Sequence, residues 1–377
     1  GYYNVTGTQN TWLGYQAGAG ASGQSNSSNV GVGYQALTSV TTGGSNVAIG
    51  KSSSTALTTG LGNVSIGASA NESSTTGGNN VAIGYNSHRY ISGGDKNIAI
   101  GYAAMQSSGT PANNDAQYNI GIGYWALLAI TDGDSNTVLG NLAGSSMTTT
   151  SNTVIIGVEA GDAINSTDAD GTVLIGRSAG GALTDGQYNT AIGHQALSAN
   201  KQNDHNTAVG YFALNRMSGS SAGSTNNTAV GSWTGWQMTT GASNTLLGQY
   251  AGQAITTGNY NNIMGAQAGY QINTGGYNVI IGMEAAYYNN AGSYNTVMGH
   301  KAGQYMTGSN NVYLGFEAGR GGNTSAPYSS GGNNVAVGQY ALQETISGGT
   351  NVAIGNRALL KNHVGSNIVA VGYGAGY

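Results

Sequence analysis

Three glutamates share one position in a repeated pattern, and they are the residues that could carry acid–base chemistry. Glu159, Glu284 and Glu317 each stand two residues after a recurring glycine. Hydrolysis of a glycosidic bond needs two carboxyl groups within about 10 Å of each other. Glu284 and Glu317 lie two repeats apart, roughly 10 Å if stacked turns are ~4.8 Å apart, but no supporting residues accompany them. We therefore predict that the protein is not an enzyme.

A second group of acidic residues could bind a hard cation such as Ca²⁺ through carboxylate oxygens. Asp162, Asp168 and Asp170 lie within one repeat and its inserted residues. Their spacing fits neither an EF-hand loop nor the nine-residue calcium-binding repeat. We expect solvated carboxylates in turns, keep these three aspartates as candidate metal ligands only, and predict no metal or other cofactor.

Tyrosine follows the recurring glycine directly in several repeats, and these rings could contact sugars. An aromatic ring can stack on a sugar, but rings on neighbouring turns can also stack on each other and cover apolar surface. Glycan contact and a purely stabilising ladder therefore both remain open. The candidate residues for glycan contact are Tyr15, Tyr34, Tyr85, Tyr102, Tyr124 and Tyr211.

The elements that would position these side chains are short repeats along the whole chain. An Asn is followed by three residues, the third of them aliphatic, and then by a Gly. This Gly recurs 21 times, most often at an interval of about 17 residues, and a fixed period of about 20 residues is typical of a solenoid, in which each unit packs only on its neighbours. We predict an all-β parallel β-roll, a β-solenoid of about 21 short repeats, as a single repeat domain over residues 1–377 with repeats from about residue 10.

The three residues between Asn and Gly are expected to form a short strand whose side chains alternate between two faces. The first is mostly β-branched, as in Val47, and the third is aliphatic, as in Ile49, so both are predicted to face the core. The middle residue, such as Ala208 or Ile280, would face outward in an apolar stripe, which is typical of an association surface. The Asn side chains are expected to stack as a ladder that fixes the register.

The composition argues against several classes of partner. Only 6% of the 377 residues are charged and the formal net charge is −4, with no cluster of Lys and Arg. Binding to a phosphate backbone needs several converging cations, so no nucleic-acid partner is expected. No apolar run approaches the roughly 20 residues of a membrane span. Cysteine is absent, which excludes disulfides and thiolate metal sites.

Four intervals between repeats are longer than the rest, and the extra residues fall in the outer loops. Insertions at one corner of a solenoid can form a binding surface without disturbing the core. They are also the places where a neutral insertion is tolerated most easily, so both interpretations stay open. The inserts lie within residues 107–118, 165–171, 218–226 and 321–333.

The repeat resembles that of a known group of proteins. Residues 33–37 (Gly-Tyr-Gln-Ala-Leu), 41–43 (Thr-Thr-Gly) and 46–50 (Asn-Val-Ala-Ile-Gly) are similar to the Asn-x-Val-Ala-Ile-Gly repeat of trimeric autotransporter adhesin heads of the YadA type. They also resemble the repeat arrays of phage tail fibres and bacterial tail-fibre-domain proteins. The resemblance covers essentially the whole chain, and it implies a homotrimer of parallel β-rolls, intertwined or side by side, on an extended fibre that binds surfaces.

Taken together, the sequence predicts a non-enzymatic structural fibre or adhesin, an extended trimeric shaft or head that attaches to surfaces or host cells. It is expected outside the cell, on a cell surface or a virion, with further copies of itself as partners and a surface glycan or host receptor as a second partner. A phage tail fibre with glycan-binding loops is the main alternative. A polysaccharide-degrading solenoid and an ice-binding protein are further alternatives. Ice binding needs an outward Thr array, whereas Thr in this repeat occupies the first strand position, which is predicted to face the core.

Overall fold

The computed structural model describes residues 1–107, 114–218, 223–322 and 329–376. The chain forms two compact units, Gly1–Asn189 and Thr190–Tyr377, which we call the first and the second unit. Each is a β-solenoid in which one turn of chain contributes one short strand to a parallel sheet. The predicted all-β parallel solenoid is confirmed, with the period expected from the recurring Gly, whereas a single domain over residues 1–377 stays a prediction.

The strands of the first unit are three residues long and pair in register with the strand of the next turn. For example, Val47, Ala48 and Ile49 lie opposite Val64, Ser65 and Ile66. A short 3-10 helix, Thr167–Ala169, lies between the last two strands. In chain order the strands are β1 Thr11–Leu13, β2 Val30–Val32, β3 Val47–Ile49, β4 Val64–Ile66, β5 Val81–Ile83, β6 Ile98–Ile100, β7 Ile120–Ile122, β8 Thr137–Leu139, β9 Val154–Ile156 and β10 Val173–Ile175.

The second unit repeats this arrangement and adds one small sheet. Two strands of two residues, Asn203–Asp204 and Gly223–Ser224, pair in parallel outside the main sheet. The strands are β11 Thr190–Ile192, β12 Asn203–Asp204, β13 Thr207–Val209, β14 Gly223–Ser224, β15 Thr228–Val230, β16 Thr245–Leu247, β17 Asn262–Met264, β18 Val279–Ile281, β19 Thr296–Met298, β20 Val312–Leu314, β21 Val335–Val337, β22 Val352–Ile354 and β23 Val369–Val371.

The strands face the opposite way from the prediction. In the three-residue strands after β1 the middle residue is buried, while the first and third residues are half-buried or exposed. Leu246 is fully buried and its neighbour Leu247 is 41% exposed. The predicted outward position of Ala208 and Ile280 is therefore wrong, since both are fully buried.

Further rows of buried residues add to the core of each unit. The third residue after the Gly is buried as expected, including its exceptions Ser53, Ser87 and Thr234. The prediction missed the larger buried residue that stands seven after the Gly and packs towards the middle strand position, as Val40 and Ala48 do in one core cluster. This row consists of Val40, Leu57, Ile91, Ile130, Met147, Ile164 and Leu183 in the first unit, and of Met217, Met238, Ile255, Ile272 and Met306 in the second.

The Gly that ends each strand is required by both its conformation and its surroundings. Gly33 has φ +134°, a value that L side chains rarely adopt, and an added Cβ would lie 2.5 Å from the carbonyl oxygen of Gly50 on the next turn. Since successive corners repeat this close approach, the corner admits only glycine. The chain can therefore turn the same corner at the same place in every repeat.

The predicted Asn ladder is present in both units. The backbone N–H and the side-chain Nδ2 of Asn46 donate to Oδ1 of Asn29 at 3.0 and 3.1 Å, and the same Nδ2 donates to the carbonyl of Gly60 at 2.9 Å. Where Thr153 replaces Asn, its hydroxyl donates to Oδ1 of Asn136 at 2.7 Å. The ladder satisfies buried backbone and side-chain groups and fixes the register between turns.

Candidate functional site

The outer face of the strands is an apolar surface in each unit. In the three-residue strands the first residue is always Val, Ile, Thr or Asn, and the third is always Ile, Val, Leu or Met. We call these two sets of outward residues the first row and the third row. A continuous exposed surface of this kind is typical of an association site. The apolar outer face predicted from the sequence is therefore present, but it is formed by the opposite side of the strand. Its most exposed third-row members are Leu13, Ile49, Ile66 and Leu139 in the first unit, and Ile192, Leu247, Met264, Met298, Ile354 and Val371 in the second.

The threonines of the first strand row also lie on this outer face. Thr228 and Thr245 are exposed, and Thr207 is half-buried. The argument against ice binding, that these residues face the core, is therefore wrong. The Thr row is nevertheless interrupted by Asn262 and Val279 and runs beside aliphatic side chains, so the face is an apolar surface with hydroxyl groups along one part of one edge.

The candidate tyrosines of the first unit form stacked ladders. Tyr15 and Tyr34 stack with ring centroids 5.3 Å apart and planes 14° apart. Tyr102 stacks on Tyr85 at 5.4 Å and on Tyr124 at 5.2 Å. All five are at least 44% exposed, but within each stack the rings cover one another's faces. The ring faces between stacked neighbours are therefore closed to a sugar ring.

The sixth candidate, Tyr211, belongs to an aromatic cluster in the second unit. Its ring stacks on His194 at 5.4 Å and meets Phe212 edge to face at 4.4 Å. Phe212 in turn stacks on Trp233 at 4.6 Å. These contacts stabilise neighbouring turns through aromatic packing.

A further tyrosine ladder was missed by sequence reasoning. Tyr260, Tyr277 and Tyr294 stack at 4.8 and 5.0 Å, with ring planes 21° and 8° apart. Each directly precedes a ladder Asn and has a positive φ between 57° and 60°. The signal was present in the sequence as a Tyr-Asn pair that recurs once per repeat in this part of the chain.

An open groove lies on the second unit, and we call it the aromatic groove. One part, of about 390 Å³, is lined by Trp233, Tyr250, Gln253, Gln267 and Tyr270. The adjoining part, of about 570 Å³, shares Gln253 and Tyr270 with the first. Its remaining lining residues are Gln237, Ala254, Thr256, Gln271, Asn273, Tyr288, Asn290 and Thr307. Sequence reasoning missed the groove because the residue types at these repeat positions change from one repeat to the next.

The glutamates that could have formed a hydrolytic pair are each held by neighbouring donors. Glu284 accepts a hydrogen bond from Nε2 of Gln304 at 2.7 Å, and Nζ of Lys301 lies 3.8 Å away. Glu317 accepts from Nη1 of Arg320 at 3.1 Å and from Nε2 of Gln343 at 2.6 Å. Hydrogen bonds to a carboxylate of this kind stabilise a fold, so both glutamates are held by donors of their own or a neighbouring turn.

The candidate metal ligands do not converge. Asp162 is half-buried, and burial raises the pKa of its carboxyl group, with Glu159 adding to the effect. Asp168 is exposed in the 3-10 helix, and Asp170 accepts a hydrogen bond from the backbone of Ser151 at 2.7 Å. In the described residues no group of three or more His, Asp or Glu is placed to hold a metal ion.

The inserts are described only in part. Residues 165–171 form the capped 3-10 turn, in which Ser166 accepts a hydrogen bond from the backbone N–H of Asp168 at 3.0 Å. The predicted binding loops at 107–118, 218–226 and 321–333 include residues 108–113, 219–222 and 323–328, which lie outside the described residues.

One titratable side chain lies inside the core of the first unit. His88 is fully buried; its Nδ1 lies 2.8 Å from Oδ1 of Asn71, and its Nε2 lies 3.2 Å from Nδ2 of Asn97. Because an amide nitrogen can only donate, Nε2 accepts and Nδ1 carries the proton, which is the neutral form. Burial lowers the pKa of His88 to about 4.

Comparison with known proteins leaves the fold and the surface as the basis for a functional argument. The sequence matches no protein-family model, and a search of curated proteins gave no match. Among the described residues, the structure contains no helix with the length and apolarity that crossing a membrane requires.

Proposed function

We propose that the chain is a non-enzymatic structural repeat of an extracellular fibre or adhesin, on a cell surface or a virion, that assembles with further copies of itself through the outer face of its strands. One observation carries this proposal: the outer face is apolar and free of charge along each unit, with third-row residues such as Leu247 41% exposed. Burying such side chains against a partner is favourable by about 25 cal/mol per Å².

A second copy of the chain is the occupant that fits this face best. The rows repeat once per turn, at the ~4.8 Å spacing of paired strands, so an identical face presents the same side chains at the same interval. Most oligomers of a single chain are closed and symmetric. The resemblance to adhesin heads and tail fibres supports three copies, as an intertwined or side-by-side trimer.

Attachment to a surface or a host cell is the role that such an assembly would serve. The outer loops and corners of each turn stay exposed when the strand faces are covered, and they are the parts on which a solenoid presents binding residues. A tail fibre that recognises a glycan is the second candidate. The aromatic groove is the observation that favours it.

Sedimentation of the purified chain tests the assembly. We expect a mass of three copies for the wild type and of one copy for Leu247→Asp combined with Met298→Asp, with an unchanged far-UV circular dichroism spectrum. Both side chains are 41% exposed, and a carboxylate in an apolar interface is strongly unfavourable. Thr240→Asp combined with Thr257→Asp, at exposed positions off the strand face, should keep the assembled mass. A monomeric wild type, or a strand-face variant that still assembles, would refute the proposal.

A further inference from the structure

We propose that the aromatic groove binds a neutral polysaccharide, whose chain lies along the groove across successive turns of the second unit. The inference rests on the attachment role proposed above and gives it a ligand class. It places the contact on Trp233, Tyr250 and Tyr270 with the amides of Gln253 and Gln267, and not on the tyrosines that directly follow the repeat Gly.

The aromatic rings of the groove are arranged differently from those of the ladders. Ladder rings such as Tyr277 and Tyr294 stack at 5.0 Å with planes 8° apart. In the groove the rings of Trp233 and Tyr250 are 6.5 Å apart with planes 22° apart, and Tyr250 meets Tyr270 at 6.1 Å with planes 72° apart. Tyr270 still stacks on Tyr287 at 4.8 Å, so the stack is widened and angled only on the two sides of Tyr250. Angled aromatic walls of this kind suit the apolar face of a pyranose ring.

The groove also contains amide groups that have no internal partner. Gln253 and Gln267 are half-buried, and their side chains form no hydrogen bond with any described residue. Gln304 stands at the same repeat position as Gln253, but its amide donates to Glu284 at 2.7 Å. A free carboxamide has donors and an acceptor side by side, which complements the paired hydroxyl groups of a sugar.

The lining selects against charged polymers. None of the residues that line the two parts of the groove is charged. Phosphate, sulfate and uronate groups are bound in proteins by Arg, Lys or arrays of backbone N–H donors. A groove of rings, amides and hydroxyl groups has the chemistry to bind a sugar chain that has no charge.

Backbone hydrogen bonds hold one rim of the groove from turn to turn, and the spacing of the turns suits the repeat of such a ligand. The backbone N–H of Thr239 donates to Thr256 at 3.0 Å, that of Thr256 to Asn273 at 2.9 Å, and that of Asn273 to Asn290 at 2.8 Å. Successive turns are about 4.8 Å apart, close to the length of a pyranose unit along an extended chain. An extended polysaccharide can therefore repeat its contacts from turn to turn, on a surface that loses little conformational entropy on binding.

Affinity electrophoresis and pull-down with the purified full chain test this inference. The neutral probes are cellulose, chitin, mannan and dextran, and the anionic probes are alginate and heparin. We expect binding to at least one neutral probe and none to the anionic probes. Tyr250→Ala combined with Tyr270→Ala should weaken binding at least about tenfold, because buried aromatic anchors dominate such contacts. Gln253→Ala combined with Gln267→Ala should also weaken it.

The matched control removes two tyrosines from a closed stack. Tyr260→Ala combined with Tyr277→Ala should bind as the wild type does, since neither ring lines the groove. Absence of binding to every neutral probe, a preference for anionic probes, or equal loss in the control would overturn the inference. Sedimentation of the same samples separates the two proposals: a trimer that binds no probe refutes the groove alone, and a monomer that binds refutes the assembly alone.

Discussion

The amide Nδ2 of Asn261 donates to Oδ1 of Asn244 at 3.0 Å, and the backbone N–H of Asn261 donates to the same oxygen at 3.0 Å. The Asn261 amide also donates to the carbonyl of Gly275 at 2.9 Å. Both asparagines are fully or almost fully buried. One side chain thus links three turns of the solenoid, and its removal leaves buried polar groups unpaired.

Replacement of Asn261 should distinguish the loss of donors from the loss of size. Asn261→Asp removes both amide donors and places a carboxylate beside two carbonyl-type oxygens. We expect the free energy of unfolding to fall by more than about 3 kcal/mol. Urea unfolding followed by circular dichroism measures this change.

Asn261→Thr is the control, because Thr153 holds this position in the first unit and donates to Asn136 at 2.7 Å. It should cost about 1 kcal/mol. Equal losses for the Asp and Thr variants would show that the hydrogen bonds of the amide are not what the ladder depends on.

Two adjacent leucines provide a direct test of which side of the strand is inside. Leu246 is fully buried and Leu247 is 41% exposed. Leu246→Asp should prevent folding or destabilise the second unit by more than about 4 kcal/mol, since an unpaired carboxylate would lie in the core. Leu247→Asp should leave the fold of the chain intact. Soluble yield and resistance to trypsin report the difference, and the reverse order would restore the orientation predicted from the sequence.

The sequence contained the repeat but not its orientation. Alternation separated Leu246 from Leu247, but both rows are apolar, so alternation could not tell which one faces the core. The deciding partner is the fourth residue after the Gly: a Cβ on the middle-row Gly121 would lie 2.8 Å from Cγ of Met105, whereas a Cβ on Gly252 would lie 3.0 Å from the large middle residue Leu246. That proximity is not visible in a linear pattern.

The candidate site was predictable to a smaller extent. The stacking of Tyr85 on Tyr102 followed from a shared repeat position, since identical positions lie above one another in a solenoid. Trp233 and Tyr250 share the position two after the Gly, whereas Tyr270 stands five after its Gly, so the contact of Tyr250 with Tyr270 depends on the path of the chain between strands. The ladders therefore follow from periodicity alone, whereas the aromatic groove also depends on which residue type occupies each repeat position.

The stability of the first unit should depend on pH through His88. The pKa of this side chain is about 4 in the folded state, against about 6.5 in an unfolded chain. The neutral form is favoured by folding, so its contribution is fully present above about pH 6.5 and is lost as the pH falls towards 4. The loss amounts to about 3 kcal/mol across this range.

His88→Asn is the matched variant, because Asn71 occupies the same repeat position one turn earlier. Urea unfolding at pH 7, 5.5 and 4 should show a smaller decrease for the variant than for the wild type. The carboxyl groups of the chain contribute equally to the pH dependence of both proteins. An identical pH dependence in the two would mean that His88 is protonated without cost inside the core.

The Asn ladder also has a consequence for how such a chain can change its length. A ladder Asn such as Asn46 or Asn261 bonds to the Asn one turn earlier and to a backbone carbonyl in the following loop. A whole turn can therefore be added or removed and the bonding pattern of the remaining turns restored, which makes length adjustable in steps of about 4.8 Å. The aromatic groove is different: it needs a particular order of neighbouring turns, so it marks a stretch in which the repeats are no longer interchangeable.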